Sequence, residues 1–241
     1  MLTTRVWRHL TMKGLFVILA LTLSLNLVAT ASFAAELSGR IVITRKLSKK
    51  QVTLPVYQLR GAVPAAADGT ESANEFSNVV IFLEGQLPPP DKTVRAELEQ
   101  QGKRFEPQLV VIPVGSTVSF PNADPIFHNV FSLSSAKKFD LGYYPAGQTR
   151  VVKFDEPGVV QVYCHLHPDM YGAIVVVPNR WYTKLADDGA FTFHDVPPGD
   201  YRLVAWHMNA GFFRSEIHLP AAGATDVVIT IPVRDGEHNH R

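Results

Sequence analysis

From Leu37 onward the sequence is a succession of short, β-branched apolar runs separated by turn residues, and this punctuation restricts the fold more than any other feature. The runs include 39–44, 78–83, 109–112, 117–120, 150–154, 159–163, 173–177, 201–206 and 226–231. Between them stand Pro113-Val114-Gly115, Pro145-Ala146-Gly147, Asp155-Glu156-Pro157-Gly158, Asp187-Asp188-Gly189 and Pro197-Pro198-Gly199, all turn formers. Val-rich runs at this spacing predict an all-β protein made of sandwiches. In 93–100, Val94, Ala96 and Leu98 alternate with charged residues at strand period. The same stretch is rich in helix formers, with Asp91 as a possible cap and Gly102 as a stop. The strand reading is preferred there. The stretch 62–74 reads as a surface loop, and three consecutive prolines in 87–91 cannot sit in a central strand.

The N-terminal stretch belongs to a different class. Arg5, Arg8 and Lys13 precede an apolar run from Leu15 to Val28, followed by the small residues of 29–35. This is the three-part pattern of a secretory signal peptide, with cleavage expected after Ala31 or Ala34. The apolar run is shorter than the roughly 20 residues a spanning helix needs. Residues 1–35 are therefore expected to be removed on export to the periplasm or outside, with no stable membrane span left behind. A net charge of +1 gives no support for nucleic acid or an anionic surface as partner.

Export gives weight to the single cysteine, Cys164, which has no partner for an internal disulfide. A lone thiol in an oxidising compartment needs burial, a catalytic use or a metal. Its neighbours favour the metal: Cys164, His167 and Met170 follow a Val-rich strand as Cys-x2-His-x2-Met. Soft sulfurs suit Cu(I) and imidazoles hold both copper states, so the set fits one copper ion cycling between Cu(I) and Cu(II). A second imidazole is needed, and His128 supplies it from a separate upstream loop. Zinc accepts Cys and His but rarely Met, and its structural sites prefer more thiolates. A Cys164–His165 nucleophile pair is disfavoured, because adjacent strand residues point to opposite faces. His165 is off the ligand spacing and is expected to be a spectator or a support to the ligands.

The order His128-Asn129 … Cys164-x2-His167-x2-Met170 resembles the cupredoxins, the blue type I copper proteins. The short loop 164–170 is most similar to that of amicyanin, while plastocyanin-like loops are longer. The resemblance spans 93–178, including Gly115-Ser116-Thr117-Val118-Ser119-Phe120-Pro121-Asn122. It implies a Greek-key β-sandwich with His128, Cys164 and His167 as strong ligands and Met170 as the long axial one. It further implies that Asn129 tethers the two ligand loops by hydrogen bonding, and that His167 is the solvent-edge ligand through which electrons pass. Ile126, Phe127, Leu166 and Pro168 would then collar that edge for a brief encounter with a redox partner protein, unless Phe127 and Leu166 are simple core residues.

A second pattern, 187–203, has a Gly-x-Phe strand, a Pro-Pro-Gly turn and a Tyr-x-Leu strand, and resembles carboxypeptidase regulatory-like (transthyretin-like) β-sandwiches. Too few residues follow Trp181 to complete one. The expectation is that 37–87 and 181–233 are its two halves, with the cupredoxin unit inserted between them and 234–241 a disordered tail. The whole order resembles exported bacterial proteins of the methylamine-utilisation-like type. His207 is expected to be a satisfied structural histidine. His218 draws attention as another metal-capable side chain, and His238 and His240 belong to a solvated terminus.

The function expected is an exported mononuclear copper protein carrying single electrons, not an enzyme. Two alternatives use the same residues. One is a copper carrier or sequestering protein, although carriers favour Met and His clusters absent from this chain. The other is a β-sandwich binding module with accessory copper. A copper oxidase would need a second copper motif, and only one Cys-x2-His occurs.

Overall fold

The computed structural model describes residues 34–44 and 75–231. The expected signal segment up to residue 33, the expected loop 62–74 and the expected tail 234–241 lie outside the described residues. Among the described residues there is no α-helix, so no helix there is long and apolar enough to cross a membrane. The protein is all-β.

The chain opens with β1 (Ala35–Ile43), and a 3-10 turn (Glu75–Asn78) leads into β2 (Val79–Glu84). Three short strands follow, β3 (Arg95–Glu97), β4 (Glu99–Gln101) and β5 (Arg104–Glu106), then β6 (Leu109–Pro113) and β7 (Thr117–Pro121). Next come β8 (His128–Ser134), β9 (Lys137–Tyr144), β10 (Thr149–Lys153), β11 (Gly158–Tyr163) and β12 (Tyr171–Val177). The chain closes through β13 (Tyr182–Lys184), β14 (Ala190–Val196), β15 (Gly199–His207), β16 (Gly211–Leu219) and β17 (Ala224–Ile231). The 93–100 stretch thus contains two short strands rather than a helix, in keeping with its alternation.

Strand order stacks these elements in four layers. Sheets β14-β1-β17 and β13-β2-β15-β16 enclose one core, with Leu37, Ile41, Phe191 and Ile229 facing Val79, Ile81, Leu203 and Ala205. Sheets β6-β12-β11-β8-β9 and β10-β7-β3 enclose a second, with Val118, Phe120 and Val152 against Val130, Val160, Val162 and Ile174. A third core joins the two inner sheets: Val80, Phe82, Val204 and Trp206 pack on Leu109, Ala173, Val175 and Val177.

This arrangement explains the unbroken apolar runs. A sheet covered on one side reads as alternation; a strand covered on both sides must be apolar at every position. β2, β12 and the end of β15 are such strands, buried at nearly every residue.

β1 is central in its sheet, antiparallel to β14 and parallel to β17. β2 pairs with β13 and β15. Both N-terminal strands are therefore hydrogen-bonded to strands that follow residue 181. Gly39 makes this possible: a Cβ there would lie 2.1 Å from the Val227 carbonyl oxygen. The β4–β5 hairpin turns at Gly102 and Lys103 with φ of 61° and 59°, the two positive values that a two-residue type I′ turn requires.

Candidate metal centre

The end of β11 and the start of β8 lie side by side, with Tyr163 opposite Phe131. This register brings Cys164, just past β11, to His128, the first residue of β8. The sequence places His128 on a loop; here the loop ends one residue earlier, and His128 already pairs with Tyr144 of β9. Beyond Cys164 the chain closes on itself. Met170 N–H donates to the His167 carbonyl at 3.0 Å, and Cys164 N–H donates to the Met170 carbonyl at 3.2 Å. The turn leaves Cys164 and Met170 fully buried in the second core. His128 is also fully buried, whereas His167 is only half-buried.

Cys164 Sγ lies 3.8 Å from His128 Nδ1 and 3.6 Å from His167 Nδ1. These three donor atoms all lie within 4.8 Å of one another. Bonds of about 2.0 Å to nitrogen and 2.3 Å to sulfur, opened to about 120°, separate nitrogen from sulfur by roughly 3.7 Å. Both separations are close to this value, so the donor set fits a metal held in a trigonal plane. Burial pushes the His167 imidazole below its usual range, reinforced by His128 and Lys103. A neutral imidazole is the form that binds metal.

The Asn129 side chain bonds to β9. Its amide donates to Asp140 Oδ1 at 2.6 Å and to the Gly142 carbonyl at 3.2 Å, both on β9. Asp140 Oδ2 in turn lies 3.5 Å from His165 Nε2, and the His165 ring stacks flat on Phe131, centroids 3.9 Å apart and planes within 4°. Asp140 thus links Asn129 to His165 of the cysteine loop, with Phe131 beneath the His165 ring. Burial raises the Asp140 carboxyl, but the Gly142 N–H, the Asn129 amide and His165 outweigh it and hold the group below its usual range.

Sequence reasoning missed Asp124 and Asp140. Asp124 Oδ2 is 2.7 Å from His128 Nε2, yet next to Pro125 it reads as an ordinary turn residue. Its one signal is a place four residues before the histidine. Asp140 carries no sequence signal, because the strand pairing alone brings it to Asn129.

Among the described residues, His194, His207 and His218 lie outside this cluster. His207 is fully buried, with Nε2 3.2 Å from Glu75 and Nδ1 accepting the Asn209 N–H at 3.0 Å. His218 is exposed and pairs with Asp200. His238 and His240 lie outside the described residues. Ile126, Phe127 and Leu166 are exposed and Pro168 is half-buried, so Phe127 and Leu166 are not core residues.

Several solved structures are similar to part of the chain. A purple cupredoxin from Nitrosopumilus maritimus shares 29% identity over 34% of this chain and 99% of its own, with a TM-score of 0.32. A copper-containing nitrite reductase from Thermus scotoductus SA-01 shares 26% over 35% of this chain, with a TM-score of 0.33; the match spans only 22% of that enzyme. A reduced amicyanin variant shares 21% over 40% of this chain and 98% of its own, with a TM-score of 0.32. No curated protein matches the chain. Residues 92–177, which contain His128, Cys164, His167 and Met170, match the family of copper binding proteins of the plastocyanin/azurin type.

Proposed function

We propose that this protein is an exported type I copper protein that carries single electrons between partners and catalyses no reaction of its own. The observation that supports it most is the convergence of Cys164 Sγ with two imidazole Nδ1 atoms at 3.8 and 3.6 Å. His128, Cys164 and His167 would hold one copper ion, with buried Met170 as the weak axial ligand. Copper in such a set supplies a one-electron couple whose potential depends on the axial ligand and on the packing around the sulfur. The chain's own part is to keep the donors still. Cys164 and His128 are locked by core packing, while the loop 164–170 is closed by its own backbone hydrogen bonds.

His167 is the ligand nearest solvent and the proposed electron port. The exposed side chains of Ile126, Phe127 and Leu166 suit a brief, small encounter with a redox protein. The match of 92–177 to copper binding proteins of the plastocyanin/azurin family supports a periplasmic or secreted location, reached after cleavage that leaves Ala35 of β1 in place. We also assign 37–87 and 181–233 to one transthyretin-like sandwich, with the copper unit at 93–178 inserted between its halves. The pairing of β1 and β2 with later strands supports that division.

The test is titration of the mature protein with Cu(II), followed by ascorbate, read by optical and paramagnetic-resonance spectra. An intense thiolate-to-copper band that saturates at one equivalent, bleaches on reduction and returns on oxidation is the expected result. Copper bound without the band would favour a carrier. No binding would make Cys164 structural and leave the sandwich module as the function to explain.

A further inference from the structure

The β4–β5 hairpin is joined to the segment that leads into His128. Ala123 N–H donates to the Gln100 carbonyl at 3.0 Å, and Gln100 bridges to Asn122. Its type I′ turn presents two adjacent N–H groups to one carboxylate. Gly102 N–H donates to Asp124 Oδ1 at 2.7 Å, and Lys103 N–H donates to Asp124 Oδ2 at 2.8 Å. The Asp124 N–H is itself held by Asn122 Oδ1 at 3.1 Å, while the Asn122 amide donates to the Ile126 and Tyr144 carbonyls. Asp124 therefore has little freedom, and its remaining acceptor capacity faces His128 Nε2 at 2.7 Å. The imidazole is fully buried and the Asp124 side chain is 11% exposed, so water competes weakly for the contact.

A carboxylate accepts only, so the proton of a neutral His128 sits on Nε2 and the lone pair of Nδ1 faces Cys164 Sγ. An imidazole so held is oriented before any metal arrives and is a stronger base when it binds. The fixed negative charge behind the ring also favours the more highly charged metal ion.

From this geometry we infer that Asp124, clamped by the Gly102–Lys103 turn, is a positioning residue that locks the His128 tautomer and lowers the potential of the copper site. This inference rests on the proposed copper function for the potential, but the tautomer lock stands on the hydrogen bonds alone.

Two measurements test the two parts. In the metal-free wild-type protein, nitrogen-15 NMR of the neutral His128 ring should show the proton on Nε2. A proton on Nδ1 overturns the lock, whatever copper does. In copper-loaded Asp124→Asn, which keeps one oxygen acceptor but removes the charge, the thiolate band should remain. The ratio of Cu(II) to Cu(I) affinity should fall about tenfold, raising the one-electron potential by about 59 mV. An unchanged potential with the band intact overturns the electrostatic part. Asp124→Ala, which also removes the acceptor, should bind Cu(II) at least about tenfold more weakly, and wild-type affinity in that variant would overturn the positioning role. If the wild-type protein shows no thiolate–copper band, the proposed function fails while the NMR result still decides the lock.

Discussion

Cys164 and Met170 occupy the same core, three residues either side of His167, yet they would make different contributions to the site. The thiolate is a strong donor and the source of any intense visible band; the thioether is weak and tunes the potential. Cys164→Ser should abolish the visible band. Met170→Leu is close to volume-conserving, and should keep the band and raise the potential; both outcomes are read by absorption and voltammetry. Asp140 offers a separate test by pH. Its carboxyl is held below the usual range in the folded state, so the folded form resists protonation that the unfolded form accepts. Its contribution is complete above about pH 3.9, the unfolded value, and is lost as pH falls through the lower folded value. Asp140→Asn should therefore make acid unfolding less steep in that range, as followed by circular dichroism.

Among the elements, β1 and the cysteine loop are the most tightly constrained. β1 sits between an antiparallel and a parallel neighbour, and its register shifts between Leu37 and Gly39. Gly39→Ala would drive a Cβ towards Val227 O and the Phe191 ring, 2.1 and 2.8 Å away. Since a backbone carbonyl in a central pairing cannot move aside, the cost should reach at least about 3 kcal/mol, the upper end of ordinary overpacking. Urea unfolding of the variant measures it directly. The cysteine loop is held by two hydrogen bonds within itself and by the stacking of His165 on Phe131. Replacing Phe131 by Leu should leave Cys164 buried and loosen the loop, which hydrogen exchange at His165 and Leu166 would report as faster opening.

Across the whole molecule, the third core makes the two sandwiches one stack. Val175, Val177, Val204 and Trp206 are buried between the inner sheets, and Lys184 Nζ of β13 reaches the Leu109 carbonyl of β6 at 2.8 Å. Trp206→Ala should cost about 3–5 kcal/mol. Because it lies outside the core that contains Cys164, it should leave the thiolate band where it was. Limited proteolysis checks the proposed interleaving, because β1 and β2 complete the sheets of the C-terminal strands. A cut near residue 180 should not release a stable C-terminal fragment, and recovery of such a fragment, folded, would count against the insertion.

Local sequence determined the all-β character, most strand positions and the spacing Cys-x2-His-x2-Met, because alternation, turn residues and a seven-residue loop are short-range properties. The partial transparency of β16 shows the limit. Its exposed Phe212, Arg214, Glu216 and His218 alternate with less exposed residues, but mixed aromatic and charged positions do not read as an apolar run. Tertiary structure alone decided what converges. His128 stands 36 residues from Cys164, and only the β8–β11 register makes them neighbours. Asp124 became a clamp because a hairpin turn more than twenty residues upstream aims two N–H groups at it. The double-sided burial of β2 and β12 likewise follows from stacking one sandwich on another. Short-range periodicity shows which residues seek burial, while the partner that covers them is set by packing across the chain.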